Sequence, residues 1–473
     1  MSTNTTEHRT PVSLSHPPAF PRAHSTWLQR RLHASYRFSA GFTWWWRRRF
    51  TKAGALVFLA IIATGLLGAD TNLSLAYQVF VFLCFLFLAA LSGSQFSRTR
   101  VCAERVLPRF GSAGLPVSYR VTLRNLTPKP QRGLSVTEDL ADPRPTLAQF
   151  VSTPEPGEER RNWVDRRFYR WKWLLKQNVR GRVTEVPCPA LPPSGSADLR
   201  LELLPLRRGV LRFDAVAVAC PDTFGLFRTF IPVPLPQSLL ILPKRYFVPP
   251  LALAGQLKYQ QGGVALAASV GESEEFVSLR DYRPGDALRH IHWPSWAKTG
   301  KPIVKEFQDE FFTRHALILD TFLSVAASEV FEEAVSVAAS LACTVQAQES
   351  LLDLMFVGPQ AYCFTMGRGV GHLEQLLEIL ASVQPCRDRQ FKSLLQLVLQ
   401  HAGDLSGCLC VFVEWDEQRR EFVRRLREMG VPLTVFVVTN AGAPKPDPGP
   451  MGADPEQFRQ LEVGKVAEGL ANL

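Results

Sequence analysis

Residues 274–307, EEFVSLRDYRPGDALRHIHWPSWAKTGKPIVKEF, hold the densest run of side chains in this chain that could do chemistry. Arg280, Asp281, Tyr282, Arg283, Asp286, Arg289, His290, His292 and Trp293 fall close together, and Pro284 and Gly285 force a turn among them. Polar donors at that density need designed partners wherever they are buried, so the composition is not that of a linker. His290 and His292 alternate and would face one side of an extended segment. With Asp281, Asp286 or Glu275 they would offer ligands or a general base to a metal-dependent hydrolase. Against that chemistry, a single H-x-H lacks a spaced third ligand. A clamping and docking role uses more of the residues. Arg280 and Arg289 would hold Asp281 and Asp286, or carboxylates of the next domain, through forked hydrogen bonds, while Tyr282 and Trp293 pack. Arg289, His292, Lys298 and Lys301 would then present a basic face to an acidic partner.

The elements that must position this run are several. A chain of 473 residues has room for more than one core. The net charge of +11 matters mainly for where it sits, since charged residues make up an ordinary 21%. Nine cysteines, dispersed and mostly within apolar runs, read as free buried thiols in a reducing compartment, and no C-x-x-C pair points to a zinc ribbon. Cys343 and the other thiols lack the basic neighbours that mark a nucleophile. Glycine-rich phosphate loops are absent, and the glycines at 367–371 read as a turn.

Residues 1–50 read as a disordered basic tail. Residues 44–50, WWWRRRF, precede an apolar run over 53–69, and a second run covers 73–91. Each has about the 17–20 residues that cross a hydrocarbon core, so residues 51–95 predict a two-helix transmembrane hairpin. Arg47, Arg48, Arg49 and Lys52 before it and Arg98, Arg100 and Arg105 after it place both ends in the cytosol by the positive-inside rule. Over 97–245 short alternating segments such as VSYRVTLRN, broken by Pro and Gly, predict a β-sandwich. An insertion at 160–182 mixes Arg and Lys with Trp163, Trp171 and Trp173. It suits an anionic membrane surface, with nucleic-acid binding and a solvated β-hairpin or partner contact as the competing readings. From 311 to 440 strand-like and helix-like segments alternate, which predicts a parallel sheet covered by helices, and 441–473 reads as a Pro-rich tail.

The hairpin, LPLRRGVLRFDAVAVACPDTFGLF at 204–227, the strand LLILP and the RDYRPGD…RHIHW…AKTG run together resemble the domain-of-unknown-function family 58 of bacterial membrane proteins. The resemblance spans roughly residues 57–438. It implies a von Willebrand factor A-like (Rossmann-like) α/β domain after the signature segment at 270–310. It also implies association with MoxR-type AAA+ ATPases and transglutaminase-like membrane proteins at the bacterial inner membrane. No settled activity comes with it. Such domains bind a divalent cation through a D-x-S-x-S loop after the first strand, where oxygen ligands converge on a hard ion. Asp320 and Ser324 fit that pattern here, Asp416 could add a carboxylate, and Phe322 stands where the first serine would be. Loss of that oxygen leaves Mg undercoordinated, so the expectation is a degenerate site without cofactor. The resulting reading is a non-enzymatic, membrane-anchored interaction protein, with signature residues Arg280, Asp281, Tyr282, Pro284, Gly285, Asp286, Arg289, His292, Trp293 and Lys298 as its docking surface.

Overall fold

The computed structural model describes residues 26–67, 74–95, 99–250, 276–284, 288, 291–307, 314–323, 328–347, 351–366 and 370–473. The chain divides into two units: one comprises residues 1–108, 116–206 and 211–239, the other residues 109–115, 207–210 and 240–473.

The first unit begins with α1 (Trp27–Arg49). Residues 27–49 are therefore ordered, a correction to the reading of 1–50 as a disordered tail. Two local features explain it. Thr26 and Gln29 form a reciprocal capping box, and Arg47, Arg48 and Arg49 complement the helix C-terminus. His33 and Tyr36, on one face, pack with Phe150 and Trp171. On another face Phe38, Phe42 and Trp45 stack in sequence and stay exposed. Two apolar helices follow, α2 (Lys52–Leu67) and α3 (Ser74–Gln95). Of these α3, through Leu75–Ser92, is long and apolar enough to cross a membrane, and α2 is a shorter apolar helix.

Two sheets make the rest of this unit. One has the antiparallel order β1 (Val101–Val106), β3 (Val117–Asn125), β7 (Ser196–Pro205), β5 (Gly181–Val183). The other runs β9 (Arg228–Leu242), β8 (Gly209–Pro221), β4 (Ser135–Leu140), β6 (Val186–Pro187). Strand β3 alternates buried Tyr119, Val121 and Leu123 with outward residues, and the ring of Tyr119 meets Phe213 of β8 edge-on at 5.9 Å. Between the sheets Arg105 of β1 donates from Nε to Glu138 of β4 (2.9 Å) and from Nη1 to the Leu235 carbonyl (2.9 Å) and Gln237 (3.1 Å) of β9. A short helix α4 (Leu147–Ser152) precedes the insertion at 160–182, which is mostly helical, α5 (Trp163–Asn178), not a β-hairpin. Trp171 and Leu174, three residues apart, form its buried stripe, and Arg170 pairs with Glu158 behind it.

The loop between β8 and β9 meets the apolar helices directly. Thr51 donates its hydroxyl to the Gly225 carbonyl (2.7 Å) and its N–H to that of Leu226 (3.2 Å). Phe227 packs edge-on against Phe50 and Phe87, at 4.8 and 4.9 Å. Gly54 lets this happen, because a Cβ there would stand 2.1 Å from the Leu226 carbonyl oxygen.

The second unit carries a six-stranded sheet in the order β14 (Ala361–Met366), β13 (Leu351–Val357), β12 (Arg314–Leu319), β15 (Gly407–Phe412), β16 (Leu433–Thr439), β17 (Phe458–Glu462). All neighbours are parallel except the antiparallel edge strand β14. Strands β12 and β15 are buried at every position, as expected when both faces are covered. Alternate residues of β12 serve two cores. Leu317 and Leu319 pack with α7 (Glu329–Ala347) and α8 (Val370–Ser382), whereas Ala316 and Ile318 pack with α9 (Lys392–His401) and α10 (Glu417–Glu428). The expected Pro-rich tail contributes structure: β17 pairs with β16, and α11 (Val466–Ala471) buries Val466 and Leu470. With a single buried residue, Leu461, β17 shows no strand pattern in sequence. Strand β2 (Phe110–Ser112) pairs with residues 240–242, also within this unit.

Candidate functional site

Two places in the second unit gather the residues that sequence reasoning singled out. The signature run forms an antiparallel pair, β10 (Phe276–Asp281) and β11 (Ile303–Phe307), in which Arg280 lies opposite Val304 and Asp281 opposite Ile303. Backbone bonds from Tyr282 to the Pro302 carbonyl (3.0 Å) and from His292 to that of Ile303 (2.8 Å) close the connection. Within it α6 (Trp293–Thr299) begins at Trp293 with Pro294 in its first turn, and it ends at Gly300, whose φ of 71° suits the residue without a Cβ.

Several of the side chains there are exposed. Trp293 is 61% exposed and stacks on Trp296 at 5.2 Å rather than packing into a core, which corrects the expectation for that residue. Lys298 is exposed on the same helix, and Arg280 donates to the backbone carbonyl of Asp281 (3.2 Å). Tyr282 is half-buried, and Asp281 and Pro284 are exposed. His292 bonds through Nδ1 to the Ser295 hydroxyl at 2.6 Å, tying it to the start of α6. Gly285, Asp286, Arg289, His290 and Glu275 lie outside the described residues, so the His290–His292 pair and the Arg289 clamp are not among the observed contacts.

The other place is the switch point of the sheet, where the chain leaves β12 toward β13 on one side and β15 toward β16 on the other, the position at which ligands bind in such sheets. Asp320, directly after β12, is fully buried. Its Oδ1 accepts the Phe322 N–H at 3.0 Å and its Oδ2 that of Val413 at 3.4 Å. Arg419 of α10 reaches both oxygens, Nε to Oδ2 at 3.1 Å and Nη2 to Oδ1 at 3.4 Å. The same guanidinium donates to the Phe322 carbonyl (3.2 Å) and to Asp416 Oδ2 (2.8 Å), and Glu414 Oε2 lies 3.8 Å from Nη1. Asp416 also caps α10 by accepting the Arg419 N–H at 3.0 Å.

Burial pushes the pKa of the Asp320 carboxyl up, against the pull of Arg419. Burial would lower the Arg419 pKa, but Asp320 and Asp416 outweigh it and the guanidinium is held more firmly charged than usual. The Phe391 ring covers it, with Cζ 4.5 Å from the ring centre, and Phe322 meets Phe391 edge-on at 5.5 Å. Phe322, at the position of the missing serine, is thus a core residue. Asp320 and Asp416 each pair with Arg419, and Ser324 lies outside the described residues. Among the described residues no group of three or more His, Cys, Asp or Glu could hold a metal ion.

Sequence reasoning missed Arg419 and Arg208. Arg419 shares a helical face with Phe422, Val423 and Leu426, all buried, and an arginine in register with such a stripe is a readable signal. Arg208 donates to the carbonyls of Leu380 (3.2 Å) and Val383 (2.7 Å) at the end of α8 and pairs with Glu332. The nine cysteines are free thiols, and burial raises the pKa of Cys188, Cys220, Cys343, Cys363 and Cys410; Cys102, however, is exposed.

Residues 278–466 match the family described as Protein of unknown function DUF58. The chain is also similar to Uncharacterized protein YeaD of Bacillus subtilis (strain 168), at 27% identity over 188 residues. That alignment covers 39% of this chain and 46% of the relative, so the chain spans less than half the length of that protein. Among solved structures, the CARDB domain of a Pyrococcus furiosus protein in complex with di-metal ions aligns with 31% of this chain and 91% of its own at 11% identity and a TM-score of 0.17. A GH20 exo beta-N-acetylglucosaminidase from Vibrio harveyi aligns with 73% of this chain and 57% of its own at 10% identity and a TM-score of 0.12. Likenesses at those scores carry no argument about fold or function.

Proposed function

We propose that the chain is a membrane-anchored, non-enzymatic interaction protein whose soluble units engage other proteins, among them a MoxR-type AAA+ ATPase and a transglutaminase-like membrane protein. The observation that carries the anchoring is α3: Leu75, Phe82, Phe85 and Leu88 are exposed along a helix of spanning length, a surface that water does not tolerate. On this reading α2 is the return pass, and both termini and both soluble units face the cytosol at the bacterial inner membrane. The exposed Phe38, Phe42 and Trp45 of α1, followed by Arg47, Arg48, Arg49 and Lys52, suit the headgroup region next to it.

The second unit is read as a von Willebrand factor A-like domain, supported by the doubly wound strand order with its antiparallel edge strand. Exposed Leu279, Leu288 and Trp293 with Lys298 make the signature hairpin the docking surface. Affinity purification of the full chain from detergent extracts tests the reading. The ATPase and membrane partners are expected to co-purify, and to be lost on the double change Trp293→Ala and Lys298→Glu. Recovery of the chain in the soluble fraction, or of no partner from the membrane fraction, would overturn it.

A further inference from the structure

At the carboxyl ends of β12 and β15 the oxygens of Asp320, Asp416 and the Phe322 carbonyl converge on one guanidinium, that of Arg419. The donor and acceptor counts close. A carboxylate offers about four lone-pair positions, and those of Asp320 take the N–H groups of Phe322 and Val413 and two from Arg419. Arg419 has five N–H donors. Two go to Asp320, one to the Phe322 carbonyl and one to Asp416, and the last lies on the nitrogen facing Glu414. A hard cation would need the same lone pairs at about 2.0–2.6 Å, where the positive guanidinium and the Phe391 ring already stand. The residues present therefore do not fit a bound metal.

We infer that Arg419 is a resident cation: it replaces the divalent ion at the switch point and keeps the second unit in shape without metal. The same oxygens, Asp320 and Asp416 with the Phe322 carbonyl and Glu414, become a divalent-cation site once the guanidinium is removed. The geometry also favours arginine over lysine, since only a planar fork reaches both oxygens of Asp320 and the Phe322 carbonyl together.

The experiment uses the full chain in detergent, with thermal unfolding and Mn²⁺ binding by electron paramagnetic resonance as readouts. For the unaltered protein, neither MgCl₂ nor EDTA is expected to move the unfolding temperature, and Mn²⁺ is expected to stay free. Arg419→Ala is expected to unfold at a lower temperature, to regain much of the loss with saturating Mg²⁺ or Mn²⁺, and to bind Mn²⁺ in a way that Asp320→Asn abolishes. Arg419→Lys is expected to lose stability without ion rescue. Should Arg419→Ala not fold, Arg419→Gln carries the same comparison. Stoichiometric Mn²⁺ on the unaltered protein, lost on Asp320→Asn, would overturn the inference. So would a folded Arg419→Ala or Arg419→Gln that ignores divalent ions.

Discussion

Each unit buries an arginine against a carboxylate, and the surroundings make the two pairs different objects. Arg105 and Glu138 are both sealed from solvent between two sheets, and the remaining guanidinium bonds go to Leu235 and Gln237 of β9. Arg419 and Asp320 are equally dry, but the guanidinium continues to Asp416 and Glu414, whose side chains are 42% and 51% exposed. The first pair joins strands in the middle of their length. The second stands where the chain leaves its strands, at the one place on such a sheet that ligands use. The same ion-pair chemistry thus acts as an internal rivet in one unit and ties two strand ends to a helix start in the other.

The sharpest way to break this comparison is to remove the acid from each pair. Glu138→Ala strands the Arg105 charge in the sandwich and should cost about 3–5 kcal/mol of stability, read by hydrogen exchange confined to the sandwich strands. Asp320→Asn leaves Arg419 its bond to Asp416 and should cost less, about 1.5–3 kcal/mol, the range for hydrogen bonds to charged groups, with faster exchange confined to the α/β sheet. Equal losses, or losses that spread across both units, would show that the pairs are not distinct. Gly54→Val tests the sandwich from its other side: the side chain must push the Leu226 carbonyl away, and about 1–3 kcal/mol is expected for overpacking, visible as raised protease sensitivity near residue 225.

The smallest effect distinguishes the units by pH. Burial lowers the pKa of His315 in β12, against a backbone hydrogen bond that raises it. Its unfolded value is about 6.5, so below that pH the unfolded chain takes up a proton that the folded one refuses. The contribution of His315 is present above about pH 6.5 and is lost as pH falls toward its folded pKa. The α/β sheet should therefore soften as pH falls below about 6.5, and His315→Gln should flatten that slope in a pH series of urea unfolding.

Much of the second unit was legible because its strands are buried on both faces and read as unbroken apolar runs, HALILD and GCLCVF among them. Strand β17 was not, since FRQLE buries only Leu461 and owes its conformation to the edge of β16. Helix α1 was missed for a related reason. Its buried stripe of His33 and Tyr36 is aromatic and polar, and the packing partners lie more than a hundred residues away in Phe150 and Trp171. The acidic half of the switch-point site could be read from a motif after a strand. The basic half could not, because Arg419 joins it by folding from 99 residues away in sequence.

The seating of the β8–β9 loop on α2 and α3 has a mechanical consequence. Thr51, Gly54, Phe50 and Phe87 grip residues 225–227 by hydrogen bonds and ring contacts, so the sandwich is bolted to the apolar helices and not hung from a leash. A leashed body samples many orientations, whereas a bolted one keeps a single heading relative to the helices that hold it. Tilting or squeezing those helices would be felt by the sandwich as torque.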